Sequence, residues 1–171
     1  MRPAVAYRLA GGLALFIALA DQGSKWLVIQ RFALGDRQPV VPGFFDLVYW
    51  RNTGAAWGMF SHNTLALGVL STVVLALIAW RFRQLTDGRL ERVVGLALVL
   101  GGIAGNLVDR FSRGAVVDFL LFYFHRFQWP AFNVADSGIT VGVFLYVVSV
   151  LMEGSGQHQT AAATVPRAPA P

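Results

Sequence analysis

The chain has 171 residues, 56% of them hydrophobic and only 13% charged. A soluble domain carries about twice that charge, so the length allows one domain whose solvent is partly lipid. The formal net charge of +5 flanks apolar runs, which reads as topology and anionic headgroups rather than nucleic acid, and the absence of cysteine excludes disulfides, thiolate chemistry and iron–sulfur clusters.

A helix needs about 20 mostly apolar residues to cross the hydrocarbon core. Four spans are predicted in chain order, at about 5–29, 64–80, 93–108 and 133–152. The first has a clean apolar part over 9–20, with Asp21 and Lys25 near its end. A cleaved signal peptide is the competing reading, because Ala18-Leu19-Ala20 follows Arg2, Arg8 and a short apolar stretch. The apolar pattern resumes at Trp26-Leu27-Val28-Ile29, which favours an uncleaved span.

The loop after span one, about 30–63, holds Phe44-Phe45-Asp46-Leu47-Val48-Tyr49-Trp50, which has strand-forming residues throughout. Asn52-Thr53-Gly54 ends that run with turn chemistry. A small extracytoplasmic β-sheet is expected, with Tyr49, Trp50 and Trp57 at headgroup level. The 81–92 loop carries four arginines. This density places both termini and that loop in the cytoplasm. The loop of about 109–132 is rich in Phe, Tyr and Trp and reads as an aromatic interfacial segment. Residues 1–153 form one integral membrane domain in this reading. The tail at 154–171 lacks an apolar period and is expected to be disordered.

That topology brings nearly every polar group near the membrane to the outer interface. Asp118 lies in the second outer loop and Asp136 at the start of span four. Each alone reads equally as a functional carboxylate or as merely a helix cap or headgroup-level charge. Together they read as a pair that shares one proton. The ionised member would take a proton from attacking water, and the neutral one would donate to the oxyanion and the leaving amine. Asp21 and Lys25 stand at i, i+4, a local ion pair that can also organise its neighbours. The glycines of Gly101-Gly102-Ile103-Ala104-Gly105 suit close helix packing. Asn106, Asp109 and Arg110 share one face, where a substrate backbone or the adjacent loops would be held. Asn52 and Gly54 read as a turn, or as an amide that bonds an extended substrate with small residues giving room. His62 and His125 read as interfacial. With His158 they show no metal-ligand spacing, so no metal or other cofactor is expected.

Five blocks occur in order: Asp21-Gln22-x-x-Lys25, Asn52-x-Gly54-Ala55-Ala56, Gly105-Asn106-x-x-Asp109-Arg110, Val117-Asp118-Phe119 and Phe132-Asn133-x-Ala135-Asp136. Over about residues 8–153 the chain resembles the lipoprotein signal peptidases, or signal peptidase II. The resemblance implies an aspartic endopeptidase of the bacterial inner membrane. It would remove signal peptides from diacylglyceryl-modified prolipoproteins, cleaving before the lipidated cysteine. It maps the catalytic dyad onto Asp118 and Asp136. The positions Asp21, Lys25, Asn52, Gly54, Asn106, Asp109, Arg110, Asn133 and Ala135 belong to the family motifs and shape or support the site. Lipidated prolipoproteins, membrane lipids and the inhibitor globomycin are the implied partners, and the expected state is a monomer. Two positions depart from the pattern. Leu121 stands where many relatives carry an acid, and Trp57 where phenylalanine is common. A proton-coupled exporter would need a carboxylate near mid-span, and none lies there. A presenilin-like protease would need Gly-x-Gly-Asp, which is absent. A purely structural membrane protein would have no use for five such blocks in order.

Overall fold

The computed structural model describes residues 1–54 and 63–163, from 154 onward as backbone. The element order is α1 (Pro3–Arg31), β1 (Arg37–Val41), β2 (Phe45–Asn52), α2 (Thr64–Thr86), α3 (Leu90–Arg113), β3 (Val116–Phe124), β4 (Phe127–Gln128) and α4 (Val134–Ala163). Four helices are long and apolar enough to cross a membrane, with the α4 span at Val134–Glu153. The chain is a multi-pass membrane protein, mainly α, with a small antiparallel sheet at one end of the bundle.

The helices outrun the apolar segments that announce them. Instead of ending at Trp80 and starting at Val93, α2 reaches Thr86 and α3 begins at Leu90. Apolar length measures the lipid crossed, whereas helical hydrogen bonding continues into the headgroup layer. Arginine permits this, because its stem lies along apolar surface while its head reaches water. A left-handed Asp87 and Gly88 then turn the chain. The opposite end of the bundle from the sheet carries an acid as well as arginines. Glu153 accepts from Arg89 at 2.7 Å and also pairs with Arg92. Helix α4 continues to Ala163 rather than stopping at 153, since no proline interrupts the backbone before Pro166. Residues 164–171 of the expected disordered tail lie outside the described residues, as do Ala55, Ala56, Trp57 and His62.

Helix α3 is the centre of the bundle and packs on α1, α2 and α4. Its small residues make this possible. A Cβ on Gly102 would lie 2.4 Å from the Ala135 carbonyl oxygen of α4, and one on Gly101 would lie 2.5 Å from that of Ala14 in α1. Glycine there lets backbones approach where any side chain would hold them apart.

The sheet runs in the order β1-β2-β3-β4, all antiparallel. The strand expected at 44–50 is β2. The aromatic segment expected at the interface is itself sheet: β3 pairs with β2 from Phe45↔Phe122 to Asn52↔Val116. Its aromatics stack within that sheet, as Phe45 on Phe122 at 4.8 Å. Val116 to Leu121 are almost all buried. Both faces are therefore buried and the period-two alternation of a half-exposed strand is missing.

Candidate active site

The site lies where α1, α3 and α4 meet the sheet. Asp118 is the third residue of β3, and Asp136 sits in the first turn of α4. Asn133, just before α4, caps that helix. Its Oδ1 accepts the Asp136 backbone N–H at 2.9 Å, and the Asp136 carboxylate accepts the Asn133 N–H at 3.3 Å. This is a reciprocal capping box, so Asn133 is the cap and Asp136 its partner.

Asn133 also reaches the other aspartate. Its Nδ2 donates to Asp118 Oδ1 at 2.8 Å and lies 3.2 Å from the Val117 carbonyl. The second Asp118 oxygen accepts from Asn52 Nδ2 at 3.1 Å. Asp136 Oδ1 accepts from Asn106 Nδ2 at 2.8 Å. Both carboxylates line one cleft of about 900 Å³. Its walls include Trp50 and Trp129 from the sheet side and Ile139 from α4.

Asp118 is only 4% exposed, and it lies outside the membrane-spanning helices. Burial pushes its carboxyl up to about 7, and the neighbouring Asp136 charge pushes the same way. Hydrogen bonds from Asn52 and Asn133 and the charge of Lys25 oppose the shift. Desolvation wins because a charged carboxylate loses more on leaving water than two amide donors return.

A buried ion cluster stands behind the dyad. Lys25 Nζ is fully buried and pairs with Asp21 at 2.7 Å and Asp109 at 2.8 Å. Arg113 also pairs with Asp109. Two carboxylates thus meet two cations, which is what allows burial of all these charges. Each member also holds something else in place. Asp21 Oδ1 accepts the Ala135 N–H at 2.9 Å, at the start of α4. Asp109 Oδ2 accepts the Val117 N–H at 3.1 Å, beside Asp118. Lys25 donates to Asn106 Oδ1 at 2.9 Å, which orients the amide that faces Asp136. A Cβ on Gly105 would lie 2.6 Å from Asp21 Oδ2.

All eleven residues singled out in the sequence fall at this end of the molecule. Gly54 N donates to Asn52 Oδ1 at 2.9 Å, and the Gly54 carbonyl lies 3.4 Å from Arg110 Nη2. His125 is elsewhere, at the exposed β3–β4 turn with φ 52°. Gln22 stands in the first sequence block but was given no role there; its Nε2 donates to Gly105 O at 3.0 Å and Asp109 Oδ1 at 3.1 Å. It is adjacent to Asp21, so helical spacing gave no reason to choose it. Arg113 was missed although it stands i+4 from Asp109, which was a usable signal. Among the described residues no group of three or more His, Cys, Asp or Glu is arranged to hold a metal ion.

Comparison with known proteins gives the family. The family model described as Signal peptidase (SPase) II matches residues 13–152. The lipoprotein signal peptidase of Symbiobacterium thermophilum is 43% identical over 145 residues, covering 84% of this chain and 95% of that protein. That of Bacillus pumilus is 40% identical over 144 residues, covering 83% and 92%. A bacterial membrane enzyme solved by the in meso method superposes with a TM-score of 0.81 at 30% identity, covering 86% of this chain and 90% of that one. The chain belongs to the signal peptidase II family, and is a membrane-embedded protease of that family.

Proposed function

We propose that this protein removes signal peptides from lipid-modified prolipoproteins by aspartic catalysis, with Asp118 and Asp136 as the acting pair. The observation that carries the reading is the single cleft onto which both carboxylates open, joined through Asn133.

The pair shares one proton. Asp118, pushed up to about 7, carries it on the acidic side of neutrality. Asp136 takes a proton from water as the water oxygen attacks the peptide carbonyl carbon. Asp118 donates its proton to the carbonyl oxygen as that oxygen gains charge. Collapse of the tetrahedral gem-diol breaks the C–N bond: the amine leaves with the proton Asp136 collected, and one hydroxyl returns its proton to Asp118 as the new carboxyl group forms. Asn52, Asn106 and Asn133 fix the carboxylate oxygens in orientation throughout, and such positioning lowers the barrier by removing wasted geometries.

The substrate fits the placement. A diacylglyceryl group keeps its acyl chains in the bilayer, so the bond beside the modified cysteine arrives at the headgroup level. The arginine-dense 81–92 loop supports a reading with both termini in the cytoplasm and the cleft at the outer face of the inner membrane. Globomycin would occupy the same cleft.

The test is Asp118→Asn and Asp136→Asn, made separately in the full chain. Each is expected to fold and to leave a lipidated precursor uncut. Near wild-type cleavage by either variant refutes the pairing. EDTA is expected to leave the rate unchanged, and inhibition reversed by added metal would contradict the mechanism.

A further inference from the structure

Asp46 is a fully buried acid that the chemistry above does not use. It sits on β2, away from the cleft, with both oxygens occupied. Oδ2 pairs with Arg37 Nε of β1, and Oδ1 accepts from the Tyr123 hydroxyl of β3 at 2.9 Å. The Arg37 guanidinium carbon lies 4.7 Å from the Tyr123 ring centroid. The Tyr123 oxygen in turn accepts the Gly43 N–H at 3.1 Å, in the β1–β2 turn. One carboxylate therefore ties three strands and a turn.

The pairing of β2 with β3 explains why such a tie matters. Before a bulge the partners are Asp46↔Leu121 and Leu47↔Leu120; after it they are Trp50↔Asp118, Arg51↔Val117 and Asn52↔Val116. The bulge adds one residue to β2. Strand side chains alternate between faces, so in an unbulged strand Phe45, Leu47, Tyr49 and Arg51 would share one face, and Asn52 would point away from Asp118. The extra residue reverses the parity and turns Asn52 onto the face of Asp118, where it bonds at 3.1 Å. Tyr49 secures the bulge from the other side, because its N–H and C=O bond Asp36 O at 3.1 Å and Gly35 N at 2.9 Å. A slip of one residue would undo the arrangement, since it moves every side chain to the opposite face.

We propose that the Asp46–Arg37–Tyr123 cluster is a register lock for the active site, with Asp46 a positioning residue that keeps the bulge in place and Asn52 aimed at Asp118. The catalytic part of this proposal rests on the reading of Asp118 as a member of the acting pair. The lock itself is a property of the sheet. The Asp46 carboxylate is buried but its Arg37 partner is exposed, so the pair is a weak source of net stability, and the use that fits it is to specify one arrangement over its alternatives.

The test uses the full chain in lipid nanodiscs, with Asp46→Asn and the milder Tyr123→Phe, each alone and combined with Asn52→Ala. Two readings are taken. Hydrogen exchange is expected to accelerate over 45–52 and 116–123 while the four helices keep their wild-type protection. On a lipidated precursor, each single variant is expected to lower kcat about tenfold with KM nearly unchanged, and Asn52→Ala is expected to do the same. Each double variant is expected to be no slower than Asn52→Ala alone, because both substitutions remove the same contact. Multiplying losses in the double variants, or sheet exchange at the wild-type rate, overturns the proposal. So does accelerated exchange throughout the helices in both single variants, which would mark a general loss of folding. Wild-type protein that leaves the precursor uncut sinks the proposed activity instead, and the exchange pattern then decides the lock by itself.

Discussion

Asn133 donates its side-chain N–H to Asp118 across 2.8 Å. The carbonyl of the same amide takes the Asp136 backbone N–H at 2.9 Å. One neutral side chain thus sets the distance and orientation of a strand carboxylate relative to a helix carboxylate. Asn133 is fully buried, so water does not replace what it provides.

Asn133→Ala is therefore expected to damage both partners at once. The lost helix cap costs about 1 kcal/mol of stability. The effect on kcat is larger, on the order of 100-fold, because the acid and the base both lose their alignment. Steady-state cleavage of a lipidated precursor, with thermal unfolding in parallel, separates the two effects. A loss of rate no greater than the loss of folded protein would contradict the bridging role.

Activity is expected to fall as pH rises through about 7. The carboxyl of Asp118 is raised from the ordinary value near 3.8 to about 7 by burial and by its neighbour's charge. Above that pH the shared proton leaves, and the pair has no acid to donate. Stability follows the same group. The folded state binds a proton that the unfolded state has already lost, so stability falls as pH rises from about 4 to about 7. Thermal unfolding across that range should show a shallower decline in Asp118→Asn than in wild type. Parallel slopes would mean that Asp118 keeps an ordinary carboxyl.

Lys25→Met is expected to be among the most destabilising single changes. It leaves Asp21 without its cation and Asp109 with Arg113 alone. Breaking a buried pair from one side costs about 3–5 kcal/mol. Adding Asp21→Asn should recover part of that loss, because it removes one uncompensated charge. Unfolding in a graded mixture of denaturing and mild detergent measures both. If the double variant is no more stable than the single, the cluster is not balanced by charge.

Glycine substitutions should separate by location. Gly102→Ala sets a methyl group 2.4 Å from the Ala135 carbonyl oxygen, so α4 must shift and carry Asp136 with it. Overpacking of this kind costs about 1–3 kcal/mol, and cleavage should fall along with stability. Gly11→Ala meets nothing within 4 Å. It is expected to stabilise α1 by about 0.5–1 kcal/mol through helix propensity, with cleavage unchanged. Equal effects of the two changes would show that the α3–α4 approach is not tight.

The ends of the helices and the partners of the sheet were legible to different degrees. Asp21 and Lys25 announce their pairing by spacing, because a helix brings i and i+4 together whatever surrounds it. The paired role of Asn133 was not legible. Its two partners lie on different elements, and either residue at 133 or 136 has the chemistry of a cap. The strand β3 was hidden because both of its faces are buried, which erases the alternation that marks a strand.

The sequence by itself determined the membrane class, the four spans and the gathering of polar residues at one end of the bundle. These follow from where apolar runs stop and from the local geometry of a helix. Tertiary structure alone decided that residues 45–52 pair with 116–122, two helices away in the chain. It also decided that an added residue in β2 turns Asn52 toward Asp118, and that Lys25 meets acids from α1 and α3 together. Such choices depend on close approach of backbones at Gly101 and Gly102. Packing between distant segments sets that approach, and no local pattern encodes it.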